Sequence, residues 1–309
     1  MKILFPNHPL KARQPDPEYQ SEFDGAVEAG FVCELYDLEN LRAGDPWQAV
    51  RCCADATRAG EQIIHRGWMM SEALFAALFE VLVKKGYSPF TTPDQYSQAH
   101  YLPNAYPILE GRTPESVWVV GGDADAAWLR YAQLGQPAAI VKDFVKSAKH
   151  LWNEACFIPA GTRTARFREI VTRFVEVRGK QFEKGIVLRR FHHFVKTYDN
   201  IAGQLVDDEY RLFMLNGRLL AGTPARSGSG PFERLKEWEF IADKFSNRFI
   251  SMDIACERAG GWVIVEVGDG GVSGLPQSIE PKKFFRSLRD ALDSGMGPNL
   301  PPEASVFVQ

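Results

Sequence analysis

The sequence lacks the features that mark membrane, disulfide-bonded and strongly charged proteins. No stretch approaches the roughly 18–20 apolar residues that a membrane-spanning helix needs, and the first apolar run is broken at Pro6, too early for a signal peptide. The five cysteines contain no Cys-x-x-Cys pair, so we expect reduced thiols. A net charge of −3 gives no global attraction to nucleic acid or to an anionic membrane. These absences predict a soluble, cytoplasmic protein without a membrane partner.

Several common catalytic motifs are absent as well. The chain has no GxxxxGKS or GxxxxGKT phosphate-binding loop and no strand-linked GxGxxG. A GxSxG nucleophile elbow is also missing. The six histidines share no metal-ligand spacing, and we interpret each of them as structural.

The first third of the chain alternates strand and helix patterns. Apolar runs at 2–5, 32–38 and 62–65 predict strands, and residues 73–83 carry apolar side chains at helical spacing. Strand–helix alternation of this kind is typical of a parallel sheet covered by helices. We therefore expect an N-terminal α/β domain over residues 1–115.

The remaining residues, 116–309, predict a second domain in which antiparallel strands dominate. Asn216-Gly217 between two apolar runs is the strongest hairpin signal in the chain, because this pair suits a type I′ turn. The predicted helix is 164–177, and the predicted strands are 117–120, 138–141, 185–194, 210–215, 218–221, 249–256 and 262–267. The expected fold class is therefore mixed α/β: a parallel sheet followed by mainly antiparallel sheets.

Two carboxylates come together in the predicted hairpin of residues 249–267. If its tight turn is centred on 259–260, Asp253 lies opposite Glu266, and a turn one residue later leaves them adjacent. Like charges opposed across a ladder destabilise it by up to ~1 kcal/mol unless something offsets them. A magnesium ion would do so, since it typically binds one or two carboxylates plus substrate phosphates. The alternative is that each side chain is simply exposed to water.

Cationic residues interrupt the apolar strands of the same region. Lys142 ends one run, Arg189 and Arg190 lie inside the next strand, and Arg211 interrupts the strand after that. An unpaired buried charge costs several kcal/mol, so these positions suggest a function. Together with the acidic hairpin they indicate a polyphosphate–metal site, because phosphoryl transfer needs cations on the phosphate oxygens and a metal bridging adjacent phosphates. The alternative for Lys142 is a solvated charge at a strand end.

Four segments, taken in order, resemble a known family. They are Ala-Ile-Val-Lys142-Asp-Phe-Val-Lys-Ser, Gly-Ile-Val-Leu-Arg189-Arg-Phe, Glu-Tyr-Arg211-Leu-Phe-Met-Leu-Asn-Gly, and Asp253-Ile-Ala with Val-Ile-Val-Glu266-Val-Gly-Asp269-Gly. Their order and spacing over residues 138–275 are similar to the ATP-grasp superfamily, and specifically to a bacterial and phage clade named for two arginines and one lysine. The first third of the chain fits the α/β domain that precedes the ATP-grasp fold in such enzymes.

The resemblance implies that the chain binds ATP. Lys142 would contact the phosphates, and the strand 186–191 would form the hinge that holds adenine. Arg189 and Arg211 would be the catalytic residues, because they would neutralise the transferring phosphoryl group. The full set of ATP contacts implied in this way is Lys142, Leu188, Arg189, Arg190, Phe191 and Arg211.

The resemblance also implies Mg²⁺ held by Asp253 and Glu266. The superfamily normally has an asparagine two positions after the metal-binding glutamate, whereas this chain has Gly268 there, followed by Asp269. Asp269 is therefore a third candidate metal ligand, and the residue that supplies the last ligand stays open. The usual glycine-rich phosphate loop is also absent after Lys142.

Two arginines outside these motifs are candidates for substrate binding. Arg66 follows a predicted strand of the first domain, and ligands bind at the carboxyl ends of such strands; a simple salt bridge is the alternative. Arg226 lies in the Gly- and Ser-rich stretch 223–231, which cannot hold a packed conformation by its composition. We interpret this stretch either as a surface linker or as a mobile lid that brings Arg226 to the phosphates on closure.

The preferred function is an ATP- and Mg²⁺-dependent ligase. ATP would phosphorylate a small-molecule or peptide carboxylate, and an amine or thiol acceptor would displace phosphate from the acyl phosphate, so the protein would act by positioning and electrostatic stabilisation. One alternative is RNA ligation or RNA-end modification. This alternative would fit the excess of positive charge in residues 162–196, which contain ten Lys and Arg but only three Glu. Another is a non-catalytic ATP-binding module.

Overall fold

The computed structural model describes residues 1–199, 204–223 and 230–294, which form two compact units. The first unit contains Met1–Ala99, Tyr210–Ile254 and the chain from Glu266 onward. The second contains His100–Glu209 and Ala255–Val265. Each unit thus combines stretches that are distant in sequence. The boundary predicted at residue 115 divides the chain into two consecutive domains, and this division stays a prediction.

The described residues contain α-helices and β-strands in the following order. The helices are α1 (Gln20–Glu28), α2 (Leu38–Arg42), α3 (Pro46–Ala49), α4 (Glu72–Lys84), α5 (Pro93–His100), α6 (Leu102–Leu109), α7 (Ala124–Gln133), α8 (Thr164–Arg178), α9 (Leu235–Ala242) and α10 (Pro281–Asp293). The strands are β1 (Lys2–His8), β2 (Lys11–Pro15), β3 (Val32–Tyr36), β4 (Glu61–His65), β5 (Tyr87–Pro89), β6 (Ser116–Val120), β7 (Ala139–Asp143), β8 (Phe157–Ile158), β9 (Gly185–Arg190), β10 (Lys196–Asp199), β11 (Gln204–Asp207), β12 (Glu209–Leu215), β13 (Arg218–Gly222), β14 (Phe249–Cys256) and β15 (Trp262–Asp269).

A mainly parallel sheet forms the N-terminal part of the first unit. Strand β1 pairs in parallel with β3 and β4, β5 adds in parallel to β4, and β2 turns back antiparallel to β1. Helices cover both faces because the central strands carry apolar side chains on both sides. Phe5 packs in one core with Phe285 of α10, and Leu4 packs in the other with Phe75 of α4. The parallel, helix-covered sheet predicted for this region is thus present.

A wholly antiparallel sheet organises the second unit. Its strand order is β6-β9-β7-β8. One face is apolar, where Val141 and Leu188 pack with Phe167 and Phe174 of α8. Residues of these strands that point the other way lie on a face that α8 does not cover.

A third sheet has the order β13-β12-β14-β15 and contains the two predicted hairpins. Asn216 and Gly217 join β12 to β13 with φ values of +49° and +73°, the left-handed pair that a type I′ turn requires. Phe213 and Phe249 pack with Phe284 of α10. This packing joins one face of the hairpins to the core of the first unit.

The mixed α/β fold class expected from the sequence is confirmed. Helices α4 and α8 extend one residue or less beyond each predicted end. The strand predicted over 185–194 ends at Arg190, which pairs with Ala139, the first residue of β7. No helix in the described part of the chain combines the length and apolar character that a membrane crossing requires.

Gly217→Ala is expected to lower the free energy of unfolding by more than the ordinary strain of a left-handed residue, which is about 1–2 kcal/mol. A Cβ at this position would also lie 2.8 Å from Asp243 Oδ1. Urea unfolding of Gly44→Ala provides the control, because Gly44 has a φ of +85° but open space around it. Equal losses in the two variants would show that the close approach to Asp243 is unimportant.

Candidate functional site

The two cations Lys142 and Arg189 lie on the same face of the sheet in the second unit. In the β7–β9 register Lys142 is paired with Val187, and Ile140 is paired with Arg189. Paired residues project to the same side of a sheet and successive residues alternate. Lys142 and Arg189 are therefore diagonal neighbours on the face opposite the apolar one, and both are buried.

Arg189 is held by other groups of the second unit. Its guanidinium donates to the carbonyls of Val265 and Ile264 at 2.5 and 3.1 Å, and to Thr113 Oγ1 at 2.5 Å. These hydrogen bonds offset part of the cost of burying the charge. They also tie β9 to the segment of β15 that directly precedes Glu266.

The other expected hinge residues differ in their surroundings. Leu188 is buried in the core that includes α8. Arg190 forms an ion pair with Glu115 at 2.8 Å with 39% of its side chain exposed. The Phe191 ring makes an edge contact with Phe157, with centroids 5.1 Å apart. Of these arginines, only Arg189 therefore shares the face of Lys142.

Asp143 is a residue that the sequence analysis missed. It follows Lys142 directly and is fully buried. One carboxylate oxygen accepts hydrogen bonds from the amides of Val145 and Lys146 at 2.8 and 2.6 Å, and the other pairs with Arg178 at 2.8 Å. Asp143 thus closes the turn after β7, anchors it to α8, and fixes the backbone beside Lys142. The available signal was a charged Lys-Asp pair at the end of an apolar run.

In the first unit, Arg211 and Asp253 form a bidentate ion pair between neighbouring strands. Arg211 Nε donates to Asp253 Oδ1 at 2.7 Å, and Nη2 donates to Oδ2 at 2.6 Å. Arg211 Nη1 also donates to the Gly274 carbonyl at 3.0 Å. Asp253 is buried, whereas 32% of the Arg211 side chain remains exposed. The cation is therefore accessible although the carboxylate it binds is not.

Glu266 lies on β15, the strand next to β14, which carries Asp253. The Gly270 amide donates to the Phe249 carbonyl at 2.8 Å, which sets the register at the open end of the hairpin. Since one face of a strand carries every second residue, moving along both strands brings Asp253 beside Glu266. The close approach between Gly268 and the Ser251 hydroxyl fits the same register. This register would pair Phe249 with Gly270, Ser251 with Gly268 and Asp253 with Glu266. Nearer the turn, the Glu257 amide donates to the Gly261 carbonyl at 3.0 Å, which is one residue out of this register, so the ladder is irregular between its two ends.

Asp269 lies in a different environment from this carboxylate pair. It is buried, and its carboxylate accepts hydrogen bonds from Asn247 Nδ2 and the Gly271 amide at 2.8 Å each and from Thr91 Oγ1 at 3.3 Å. Burial raises its pKa to about 6, although these donors oppose the shift. Because three donors occupy the carboxylate, we interpret Asp269 as an anchor for the loop after β15. Its sequence-based assignment as a metal ligand stays a prediction, since a carboxylate has about four acceptor positions.

The predicted metal ligands Asp253, Glu266 and Asp269 do not form one cluster in the described part of the chain. Among the residues that the structure describes, no three His, Cys, Asp or Glu side chains converge into a metal site. Asp253 and Glu266 remain as adjacent hard oxygen donors. Such a pair fits Mg²⁺, which commonly takes one or two carboxylates and completes its coordination with water and substrate phosphates.

Arg66 is a buried structural cation in the first unit. Its Nε and Nη2 donate to the Glu22 carboxylate at 2.5 and 2.9 Å, and its Nη1 donates to the carbonyls of Gly270 and Ser273 at 2.9 and 2.5 Å. Only 1% of Arg66 is exposed. The salt-bridge interpretation therefore replaces substrate binding for this residue, and its partners show that it holds the loop after β15.

Arg66→Ala is expected to lower the free energy of unfolding by about 3–5 kcal/mol, because it leaves the Glu22 carboxylate buried without its partner. Chemical denaturation measures the loss. Replacing both residues, as Arg66→Met with Glu22→Leu, should recover much of it. Arg173→Ala is the control, since its pair with Glu176 is half exposed and contributes about 0–1 kcal/mol. Lost ligand binding at unchanged stability would restore the substrate-binding interpretation.

Arg226 and residues 224–229 of the predicted lid lie outside the described residues. The lid and the role of Arg226 in substrate binding therefore stay predictions.

The fold is that of ATP-grasp proteins. A RimK domain protein ATP-grasp from Sphaerobacter thermophilus DSM 20745 matches with a TM-score of 0.59 and 14% identity over 94% of this chain and 98% of that one. The D-alanine-D-alanine ligase from Coxiella burnetii matches with a TM-score of 0.57 and 10% identity over 95% and 96%. D-cycloserine synthetase DcsG matches with a TM-score of 0.57 and 13% identity over 94% and 99%. At such identities the similarity establishes the fold alone.

The family is established by the sequence itself. Residues 133–288 match the ATP-grasp domain, R2K clade family 3. Because this match covers half of the chain, the protein belongs to that family, and the resemblance based on four segments is confirmed. No curated protein sequence matches the chain.

Proposed function

We propose that the protein is an ATP- and Mg²⁺-dependent ligase that joins a carboxylate to an amine or similar nucleophile through an acyl phosphate. Membership of the ATP-grasp family and a fold shared with ligases support ATP-dependent ligation. The observation that carries the proposal is the group of Arg211, Asp253 and Glu266. Two carboxylates and a partly exposed guanidinium on neighbouring strands are the groups that Mg²⁺ and phosphate oxygens bind.

The proposed phosphate contacts in the second unit are Lys142 and Arg189. Both are cations on one sheet face, and Val187 between them adds an apolar surface. Fixed cations in a poorly hydrated environment stabilise the charge of a transferring phosphoryl group more strongly than they would in water. Asp143 would maintain this arrangement by holding the turn beside Lys142.

The proposed metal ligands in the first unit are Asp253 and Glu266. Asp253 and Glu266 would hold Mg²⁺, which would supply positive charge to offset that of the phosphates. Arg211 shares Asp253 through the bidentate pair and keeps part of its guanidinium exposed. We propose that this exposed part contacts the transferring phosphoryl group.

The carboxylate substrate is proposed to be a small molecule or a peptide. Proteins with a similar fold include the ligase PsnB, solved with a precursor peptide and AMPPNP (TM-score 0.53, 14% identity, 94% of this chain and 96% of that one), and D-cycloserine synthetase DcsG. Both kinds of substrate are therefore included in the proposal. After phosphorylation of the carboxylate, attack by the nucleophile would release phosphate and form the new bond.

Ion pairs on α8 argue against the RNA alternative. The excess of Lys and Arg between 162 and 196 includes several arginines of this helix, and each of them pairs with a nearby carboxylate. The pairs are Arg166 with Glu169, Arg168 with Asp125, and Arg173 with Glu176. These arginines of α8 are thus interpreted as a solvated helix face with local partners rather than as a strip for RNA phosphates.

The nucleotide product tests the proposal. The protein would be incubated with ATP, Mg²⁺ and pools of metabolites or peptides, and nucleotides and adducts would be followed by mass spectrometry. We expect ADP release that depends on an acceptor. AMP release would instead support an adenylylating, RNA-ligase-like reaction, and tight ATP binding without turnover would support a non-catalytic module.

A further inference from the structure

A cavity of about 330 Å³ opens at the carboxyl edge of the parallel sheet in the first unit. Asn7 near the end of β1, Asp37 directly after β3, and Trp68 shortly after β4 all line it. Small molecules bind to open α/β sheets at this edge, and the volume lies within the range of ligand pockets. None of these residues belongs to the proposed ATP and Mg²⁺ contacts.

Asn7 provides the first sign that the cavity is built for a ligand. Its residue surface is 6% exposed, and it lines the cavity. Within the described ranges, its side-chain amide has no hydrogen-bond partner. The amide therefore faces the cavity with its hydrogen-bonding capacity unused, and a ligand with polar hydrogens would satisfy its oxygen.

Two carboxylates in the wall are held in fixed positions. Asp16 accepts hydrogen bonds from the Glu18 amide at 2.9 Å and from Trp68 Nε1 at 2.8 Å. Asp37 accepts from the amide and the side chain of Asn40 at 3.0 and 2.8 Å. Because a carboxylate has about four acceptor positions, each still has oxygen lone pairs for a ligand. These acceptors are ordered before the ligand arrives, which lowers the entropic cost of binding.

The wall as a whole favours a small organic cation. Asp16, Asp37 and Glu39 oppose the single guanidinium of Arg42, which is itself bound to Glu39 at 2.8 Å. The Trp68 ring is 37% exposed and is fixed by an edge contact with another aromatic ring, so it offers a face for a cation–π contact. A metal ion fits less well, since no group of three ligating side chains converges in the described part of the chain.

The geometry points to a binding site for a small molecule that carries a primary ammonium group. Its three N–H donors equal in number the three acceptor side chains Asn7, Asp16 and Asp37 of the wall, and its carbon stem would lie against Trp68. We further infer that this molecule is the amine acceptor of the ligation, and only this role rests on the proposed function.

Ligand-observed saturation-transfer NMR on the full chain tests the site. The probes are n-butylamine and 1,4-diaminobutane. n-Butanol is the neutral control, and tetramethylammonium is the control that has charge but no N–H donor. We expect saturable binding of both amines and none of n-butanol, with tetramethylammonium at least tenfold weaker. Equal binding of n-butanol and n-butylamine would overturn the inference, as would the absence of amine binding.

Variants then locate the binding. Asp16→Asn with Asp37→Asn should raise the dissociation constant of n-butylamine at least tenfold, and Glu39→Gln about threefold. If the double variant fails to fold, Glu39→Gln serves as a second test, because Glu39 is exposed and caps no helix. Glu80→Gln removes the same charge from an exposed position outside the cavity and should have no effect. Unchanged amine binding in folded Glu39→Gln and folded double variant would refute the site.

Calorimetry with ATP and Mg²⁺ on the same preparation separates this inference from the proposed function. ATP binding without amine binding would refute the amine site and leave the ligase proposal in place. Amine binding without ATP binding would refute the ligase proposal and leave the amine site in place. Displacement of n-butylamine by millimolar CaCl₂ or MgCl₂ at constant ionic strength would identify a divalent-cation site and overturn the amine assignment.

Discussion

Glu266→Gln is expected to remove most of the Mg²⁺ dependence of ATP binding. The amide keeps the shape of the side chain but removes the negative charge beside Asp253 that would hold the cation. We expect the affinity for ATP in the presence of Mg²⁺ to fall at least tenfold, which corresponds to about 1.4 kcal/mol. The affinity without Mg²⁺ should change little. Titration calorimetry with and without the metal measures both quantities.

The stability of this variant is measured alongside its affinity for ATP. Chemical denaturation gives the folded fraction, and the affinity is expressed per folded molecule so that a loss of binding is not attributed to unfolding. Glu80→Gln is the charge-matched control at an exposed position. Equal affinities for the wild type with Mg²⁺, the wild type without it and the variant would refute the metal assignment.

Arg211→Ala is expected to lower turnover by about 10²–10³, the loss typical of removing one donor that stabilises charge in a transition state. Arg211 also forms the ion pair with Asp253, so the substitution should also reduce stability. The rate constant must therefore be expressed per folded molecule, with the folded fraction obtained from circular dichroism. Steady-state ADP release gives the rate.

Two further variants separate the chemical role of Arg211 from its structural one. Arg211→Lys keeps the charge but loses the bidentate geometry, so we expect a rate between those of the wild type and Arg211→Ala. Arg218 lies on the neighbouring strand β13 and is paired with Glu239. Arg218→Ala therefore removes a nearby cation and should leave the rate unchanged. If folded Arg211→Ala retained normal turnover, Arg211 would be only the structural partner of Asp253.

Local features of the fold could be predicted because their causes lie within a few residues. Asn216-Gly217 adopts two positive φ values with little strain, so the hairpin is marked in the sequence whatever surrounds it. The apolar spacing of α4 similarly marks a buried stripe. The end of β9 was placed too far along the chain because it depends on where the neighbouring strand stops. The residues that pair with the end of a strand are distant in sequence, so a local pattern does not reveal them.

The candidate site could be predicted only as a set of residue types. Sequence identified Lys142, Arg189 and Arg211 as cations inside or at the ends of strands, and it proposed Asp253 beside Glu266 from the hairpin alone. The register between β7 and β9 was needed to show that Lys142 and Arg189 share a face. The role of Asp143 emerged only with its contacts to a turn and to a helix.

By itself, the sequence determined the class of fold, the hairpins and the family, because turn preferences, apolar periodicity and the order of motifs act along the chain. Only the tertiary structure decided which charges are structural. Arg66 is paired with Glu22, 44 positions away, and Asp269 is bound by Thr91, 178 positions away. The cost of burying a charge depends on the partners that surround it in space, and no local pattern in the chain records partners at such distances.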